Sequence, residues 1–417
     1  MELLIEQTGL SHVDNAARNK NVILNIVRDR SPISRKEISQ YSRLSIATTK
    51  RLIEELLSDH IIIEVGQTNN ARGRKASLLR LNEAYCCSIG VNIIHDALEI
   101  AALSFTGTVL LSRKVRGTRS TREAIQPLLE KLIQETVDEI HDRQSGKLLG
   151  IGIGIAGLVD INRGMVLYTP NMTGWESAPL GPSLSERFNN DIIIDDSVRC
   201  MALSEKRYGS ARGLQNFLYI YIGKGVGSGV LLDGRIYRGE HGFAGEFGHI
   251  TIKQNGNLCN CGNSGCLEAH VSESRIIEDI KKNIASNVHS SLSEKIEMGN
   301  GIGLNDILHH ARKGDKLANL TINNVSENIG IGIANLVNVF DPGVIILGGE
   351  VIDAFGESMM ENIVRVVRLK AISAISSQTS IIPAEVEDFA ASRGAATLLV
   401  EKHLQNSILN IQKEKQT

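Results

Sequence analysis

Two neighbouring stretches, Gly245-Glu246-Phe247-Gly248-His249 and Cys259-Asn260-Cys261-Gly262-Asn263-Ser264-Gly265-Cys266-Leu267-Glu268, carry the most specific chemistry in this 417-residue chain. Three thiolates and one imidazole, from Cys259, Cys261, Cys266 and His249, make the closed Cys3His set of a structural zinc site, with no position left for an activated water. The Cys-x-Cys step is too short for a C2H2 finger, and Gly262 and Gly265 let the chain turn tightly around an ion. The alternative, reduced buried thiols, suits this loop poorly because apolar neighbours are scarce. An acid stands at each end, Glu246 before His249 and Glu268 after Cys266. Carboxylates accept two hydroxyl hydrogens each, so a metal that pins them prepares a grip for a polyol. Solvated acids are the plainer reading.

Working outward, the chain on either side reads as one pattern used twice. Tyr85–Asn92, Ala97–Ser104 and Thr108–Lys114 form a meander of apolar strands, followed by a helix from Arg122 to His141 and a strand Leu148–Ala156. The order recurs with Phe217–Ile222, Gly229–Asp233 and Arg235–Gly239, then helices and the strand Val344–Leu347. Duplicated lobes of this kind place a ligand in the cleft between them. The second lobe's first turn, Gly223-Lys224-Gly225-Val226-Gly227-Ser228-Gly229, has four glycines and reads either as a phosphate cradle or as a tight hairpin in a packed sheet. Its counterpart, Asn92-Ile93-Ile94-His95-Asp96, has none, and its β-branched residues occupy space that phosphoryl oxygens would need.

The front end differs in charge and pattern. Residues 1–82 carry 13 Lys/Arg against 9 Asp/Glu, a net of +4, while the remainder is −6 and the whole chain −2. Val22, Ile23, Ile26 and Val27 give a helical stripe ending at Ser31-Pro32; Ser34 and Glu37 fit a capping box; Ser45 is an N-cap for a third helix. In that helix Ala47, Leu52, Ile53 and Leu56 are expected to face a core, and Ser45, Ile46, Thr48, Lys50 and Arg51 to face out. Two strands, Ile61–Val65 and Ser77–Leu81, then flank a linker whose Arg72-Gly73-Arg74-Lys75 offers cations to phosphates or a minor groove. The whole reads as a winged helix-turn-helix at 1–82, or alternatively as a helical oligomerisation cap with solvated charges. No apolar stretch reaches the roughly 18 residues needed to cross a bilayer, Met1–Gly9 lacks the basic flank, apolar region and cleavage site of a signal peptide, and sparse, clustered cysteines suit metal better than disulfides, so the expected setting is cytoplasmic.

The Cys-x-Cys-Gly-x-x-Gly-Cys-x-Glu run at 259–268 and the Gly-Glu-x-Gly-His run at 245–249 resemble the ROK family of sugar-responsive repressors and sugar kinases. Gly152–Asp160, Pro170-Asn171-Met172 and Asp341-Pro342 leading into Gly348-Gly349 extend the likeness over nearly the whole chain. The resemblance implies an α/β, actin-like two-lobed body of duplicated ribonuclease H-like design, zinc held by the four ligands named, and a sugar held by Asn171, Glu246, His249 and Glu268; Asp196 is a further candidate for the sugar site. It also exposes departures. Kinases of the family resemble Asp-x-Gly-Gly-Thr at the first hairpin and place a catalytic base within Asn-Asp-x-Asn, where this chain has Asp196-Ser197-Val198-Arg199. Ser197 therefore stands in place of the base, and the front end matches the repressor branch.

The reading that follows is a sugar-responsive repressor of carbohydrate-use genes. Its expected parts are a winged helix-turn-helix at 1–82, a first lobe at 83–205 completed by a C-terminal helix at 389–404, and a second lobe at 206–388 holding the zinc loop. Operator DNA would meet Ser45, Ile46, Thr48, Lys50, Arg51, Arg74 and Lys75, and the assembly would be a homodimer or tetramer. The alternatives are an ATP-dependent sugar kinase with a DNA-binding arm and a scaffold that docks a transport or signalling protein.

Overall fold

The computed structural model describes residues 12–67, 76–117, 120–143, 145–170, 172–299, 301–386 and 388–406. The front end opens with α1 (His12–Arg30), β1 (Ile33–Ser34), α2 (Arg35–Ser42) and α3 (Ile46–Ser58), followed by β2 (Ile62–Gln67) and β3 (Ser77–Leu81). Ser34 and Glu37 close the capping box that starts α2, Arg43 turns the chain in the left-handed region at φ 55°, and the Ser45 hydroxyl caps α3 by accepting from Thr48 N–H. β3 pairs antiparallel with both β1 and β2, giving a three-stranded wing. Ala47 proves exposed, against expectation. The buried stripe runs Thr49, Leu52, Ile53 and Leu56, an i, i+3, i+4, i+7 series, and position 47 lies on the far side of it.

The body follows with β4 (Cys86–Ile94), β5 (Ala97–Ser104), β6 (Val109–Arg116), α4 (Arg122–Asp142), β7 (Lys147–Ile155), the small hairpin β8 (Leu158–Asp160) and β9 (Met165–Tyr168), α5 (Leu180–Phe188), β10 (Ile192–Asp196) and α6 (Ser197–Tyr208). Then come β11 (Phe217–Ile222), β12 (Val226–Leu232), β13 (Arg235–Ile236), α7 (Glu268–Val271), α8 (Glu273–Ala285), α9 (Ser293–Glu297), α10 (Leu304–Arg312), α11 (Lys316–Phe340), β14 (Val344–Gly348), α12 (Glu350–Lys370), α13 (Ser373–Ser376), β15 (Ser380–Pro383) and α14 (Ala390–Asn406). The two large sheets have orders β10-β7-β4-β5-β6 and β15-β14-β11-β12-β13. In each, a central strand pairs antiparallel with the strand that follows it and parallel with the crossover strand on its other edge. This is one topology used twice, the duplicated actin-like α/β architecture.

Central strands are buried on both faces, so β4 and β5 read as continuous apolar runs with little alternation. α14 lies directly on the first sheet, and that close approach depends on glycine: a Cβ on Gly152 would sit 2.0 Å from Ala395 O. The far end of α14 also enters the front-end core, where Val400 and Leu404 pack with Ile23, Leu24 and Val27 of α1 and with Cys86 and Phe105. Among the described residues no helix is long and apolar enough to cross a membrane.

Candidate functional site

A cleft of about 750 Å³ lies between the two sheets, lined by Asp196, Ser197 and Arg199 from the start of α6 and by Glu246, His249 and Glu268 from the second lobe. Four of the five expected sugar-site residues thus share one cavity, and Asn171 lies outside the described residues. Asp196 ends β10 and caps α6, its Oδ1 accepting from Val198 N at 2.8 Å and Arg199 N at 3.1 Å. Half of its acceptor capacity is therefore spent on the helix. Burial pushes the Asp196 carboxyl up to about 6, with Asp195 and Glu246 adding to the rise and Arg199 opposing it. Burial likewise raises Glu246. Glu268 opens α7 and fixes one oxygen by accepting from Val226 N at 2.9 Å.

The Cys3His set converges as its spacing implies: the ligand atoms of His249, Cys259, Cys261 and Cys266 all lie within 4.8 Å of one another. Cys261 Sγ and Cys266 Sγ are 3.7 Å apart, as are Cys259 Sγ and His249 Nδ1. Zn–S bonds of about 2.3 Å require sulfur–sulfur edges of about 3.8 Å in a tetrahedron, close to the Cys261–Cys266 separation, so the donor set fits a tetrahedral ion. Cys259 and Cys266 are buried and Cys261 is exposed, so the loop closes around the site from its protein side. The other imidazole nitrogen, Nε2, faces away from the thiols and lies 3.9 Å from Glu246 Oε2. An ion at this position would tie the second-lobe acid cluster to one rigid loop.

The glycine-rich turn is shorter than its sequence implies. β12 already begins at Val226, so only Gly223-Lys224-Gly225 turn, while Gly227 and Gly229 sit in the strand. There they admit α6: a Cβ on Gly229 would lie 2.5 Å from Ala202 Cβ. The first lobe's turn is tighter still. Asn92, Ile93 and Ile94 belong to β4, Ile94 pairs with Ala97, and only His95-Asp96 turn. The two turns meet across the cleft mouth, Lys224 Nζ bonding Asp96 Oδ1 at 2.6 Å. That ion pair occupies the space between the hairpins.

Sequence reasoning missed a buried cluster. Asp195 is fully buried, accepting Arg199 Nη1 at 3.2 Å on one oxygen and Arg238 Nη2 at 2.6 Å on the other, while Arg199 Nη2 also donates to Ala244 O at 2.8 Å. It joins β10, α6 and the segment after β13 beneath the cleft. The visible signal was Arg199 itself, a cation ending the Asp196-Ser197-Val198-Arg199 segment; its partner Arg238 is 43 positions from Asp195 and nothing local announces it. Ser197 is buried and its hydroxyl donates to Asn92 Oδ1 at 2.8 Å, so its proton is engaged on the first sheet.

On the front end, α3 leaves Ser45, Ile46, Lys50 and Arg51 exposed, with Thr48 partly covered by its bond to Ser45. Ile46 is 79% exposed, more than any other large apolar side chain among the described residues. Arg51 leans on Glu55, which Lys20 also meets at 2.8 Å, so part of its charge is balanced within the module. Arg74 and Lys75 lie outside the described residues.

The ROK family model matches residues 88–402, and the chain belongs to the ROK family. It is 32% identical over 387 residues to the xylose repressor of Caldicellulosiruptor bescii, covering 93% of this chain and 96% of that one. The crystal structure of a ROK family transcriptional regulator, a homologue of the Escherichia coli MLC protein, superposes with TM-score 0.81 at 28% identity, covering 95% of this chain and 98% of that one. A ROK family glucokinase from Streptomyces griseus, solved with glucose and AMPPNP, reaches TM-score 0.64 at 29% identity and covers 75% of this chain and 98% of its own. The similarity to transcriptional regulators therefore extends over the front end as well as the body, and the kinase is the more distant structural neighbour.

Proposed function

We propose that this protein is a sugar-responsive transcriptional repressor of carbohydrate-use genes, acting in the cytoplasm as a homodimer or tetramer. Residues 1–82 hold operator DNA through Ser45, Ile46, Thr48, Lys50, Arg51, Arg74 and Lys75. The lobes at 83–205, completed by 389–404, and at 206–388 hold the effector sugar through Asn171, Asp196, Glu246, His249 and Glu268. Zinc on His249, Cys259, Cys261 and Cys266 has a structural role, fixing the loop between Glu246 and Glu268 so that less order is lost when a polyol binds. The observation that carries this reading is the free polar face of α3 on the same chain as a carboxylate-lined cleft. Ser197 in place of a base supports binding without transfer. A serine hydroxyl does not take a sugar proton near neutral pH, and general-base help is worth about 10² to 10⁴ in rate.

The test has two arms. Footprinting of DNA selected from a random pool should show a palindrome with half-sites about one or two helical turns apart. Neutralising Lys50 or Arg51 should weaken binding at every sequence and flatten its salt dependence. A coupled ADP-release assay over hexoses, pentoses and amino sugars should show no turnover, and a rate above ~0.1 per second would instead establish the sugar kinase.

A further inference from the structure

α6 reaches from the cleft to the front end, as β4 and α14 also do, and it carries charged groups at both of its ends. Its first turn, Ser197 to Arg199, lines the cleft, and Asp196 caps it there. Its last turn carries Arg207, whose guanidinium bonds Glu401 of α14 and Asp29 of α1. Glu401 Oε1 also accepts Arg28 Nη1 at 3.3 Å, so two cations and two anions join the DNA-binding module's first helix to α6 and α14. Arg207 is only 11% exposed, and its Nε has no acceptor among the described residues, leaving one donor uncommitted. Twelve residues at about 1.5 Å each span about 18 Å, roughly the separation a signal must cross.

The helix has no room to bend or slip between these ends. A Cβ on Gly394 of α14 would lie 1.7 Å from Cys200 O, and one on Gly229 of β12 would lie 2.5 Å from Ala202 Cβ on the other side. Glu205, fully buried, accepts from Glu385 N at 3.0 Å and Val386 N at 2.7 Å, tying the helix to a segment that itself lines the cleft. Densely packed elements move as units, and a displacement at one end appears at the other.

We propose that α6 is the element through which cleft occupancy reaches the DNA-binding module, with Arg207 as a positioning residue that fixes α1 against the body in one of two operator-binding arrangements. This rests on the sugar-responsive repressor reading and deepens it. Arg207 touches neither sugar nor DNA. Its removal should spare both affinities and reduce only their coupling, which by linkage is one factor seen from either ligand.

The experiment measures operator dissociation constants for the full-length protein with and without each of D-xylose, D-glucose, N-acetylglucosamine and their phosphates, and sugar affinities by calorimetry. In wild type at least one of these sugars should shift operator affinity about tenfold or more. Arg207→Gln should keep sugar affinity and sugar-free operator affinity within about twofold while the shift falls at least about fivefold, and Arg207→Lys should restore about half of it. Asp29→Asn, at the exposed end of the network, should reduce the shift about twofold. A full response in Arg207→Gln overturns the coupling role and leaves the repressor reading intact. Parallel loss of sugar and operator binding in both Arg207 variants marks a merely structural residue and overturns it too. A wild type that answers to none of these sugars defeats the repressor reading, and the proposal with it.

Discussion

The two lobes share a topology and differ in what they do with it. In the first, the β4–β5 turn is two residues, His95-Asp96, and the sheet's face is given to α14, which Gly152 admits at backbone contact. In the second, the equivalent turn is Gly223-Lys224-Gly225, and the chain beyond β13 leaves the sheet to build the Cys3His loop and its acids. The first lobe thus carries the packing toward the front end while sharing the cleft through Asp196, and the second adds the metal-ligand loop and two acids to it. A duplicated scaffold lets one copy become mainly a frame and the other bear most of the proposed sensor without altering strand order.

That contrast can be broken from either side. The largest effect is expected in the frame: Gly152→Ala pushes against Ala395 O and should cost about 1–3 kcal/mol, read as a lower midpoint in urea unfolding with α14 loosened in hydrogen exchange. Gly225→Ala at the sensor's turn meets only Glu268 Oε2, at 3.2 Å, and serves as the mild control. Next, Cys261→Ser or chelation should weaken sugar binding about tenfold or more by freeing the Glu268 loop, while operator affinity stays near that of wild type. Equal loss of both would show that the loop is part of the frame after all.

The smallest effect sharpens the boundary between the lobes at Asp196. On the proposed reading a sugar hydroxyl donates to the ionised Asp196 carboxylate, which burial pushes up to about 6, so affinity should be complete above that pH and decline as pH falls through 6. The decline should be a few-fold between pH 7 and 5, followed by calorimetry, and Asp196→Asn should flatten this part of the profile.

Much of this was legible in the sequence because its signals are local. The Ser34/Glu37 box, the Ser45 cap, the bounds of β5, β11 and β3, and the convergence of His249 with three cysteines depend on residues within about twenty positions of one another or on uninterrupted periodicity. What escaped depends on distant pairs. Asp195 with Arg238, Asp96 with Lys224 and Arg207 with Asp29 are joined only by the folded topology. Gly227 and Gly229 misled for a related reason: their meaning is set by α6 pressing on β12, and a glycine that admits a helix reads the same in sequence as one that turns a loop. Thr49 is not legible as core because a hydroxyl residue does not count toward an apolar stripe, yet its side chain is buried in that stripe.

Cys86, Phe105, Val400 and Leu404 close the same apolar core as α1, α2 and α3. The front end is consequently not a detachable cassette. A fragment ending at residue 82 would leave that core open to water, and a chimera that grafts this front end onto a relative's body would need to import the terminal turns of α14 with it. Diversification of operator preference in such a chain would therefore fall on surface residues of the front end, because the scaffold beneath them is packed as one piece with the body.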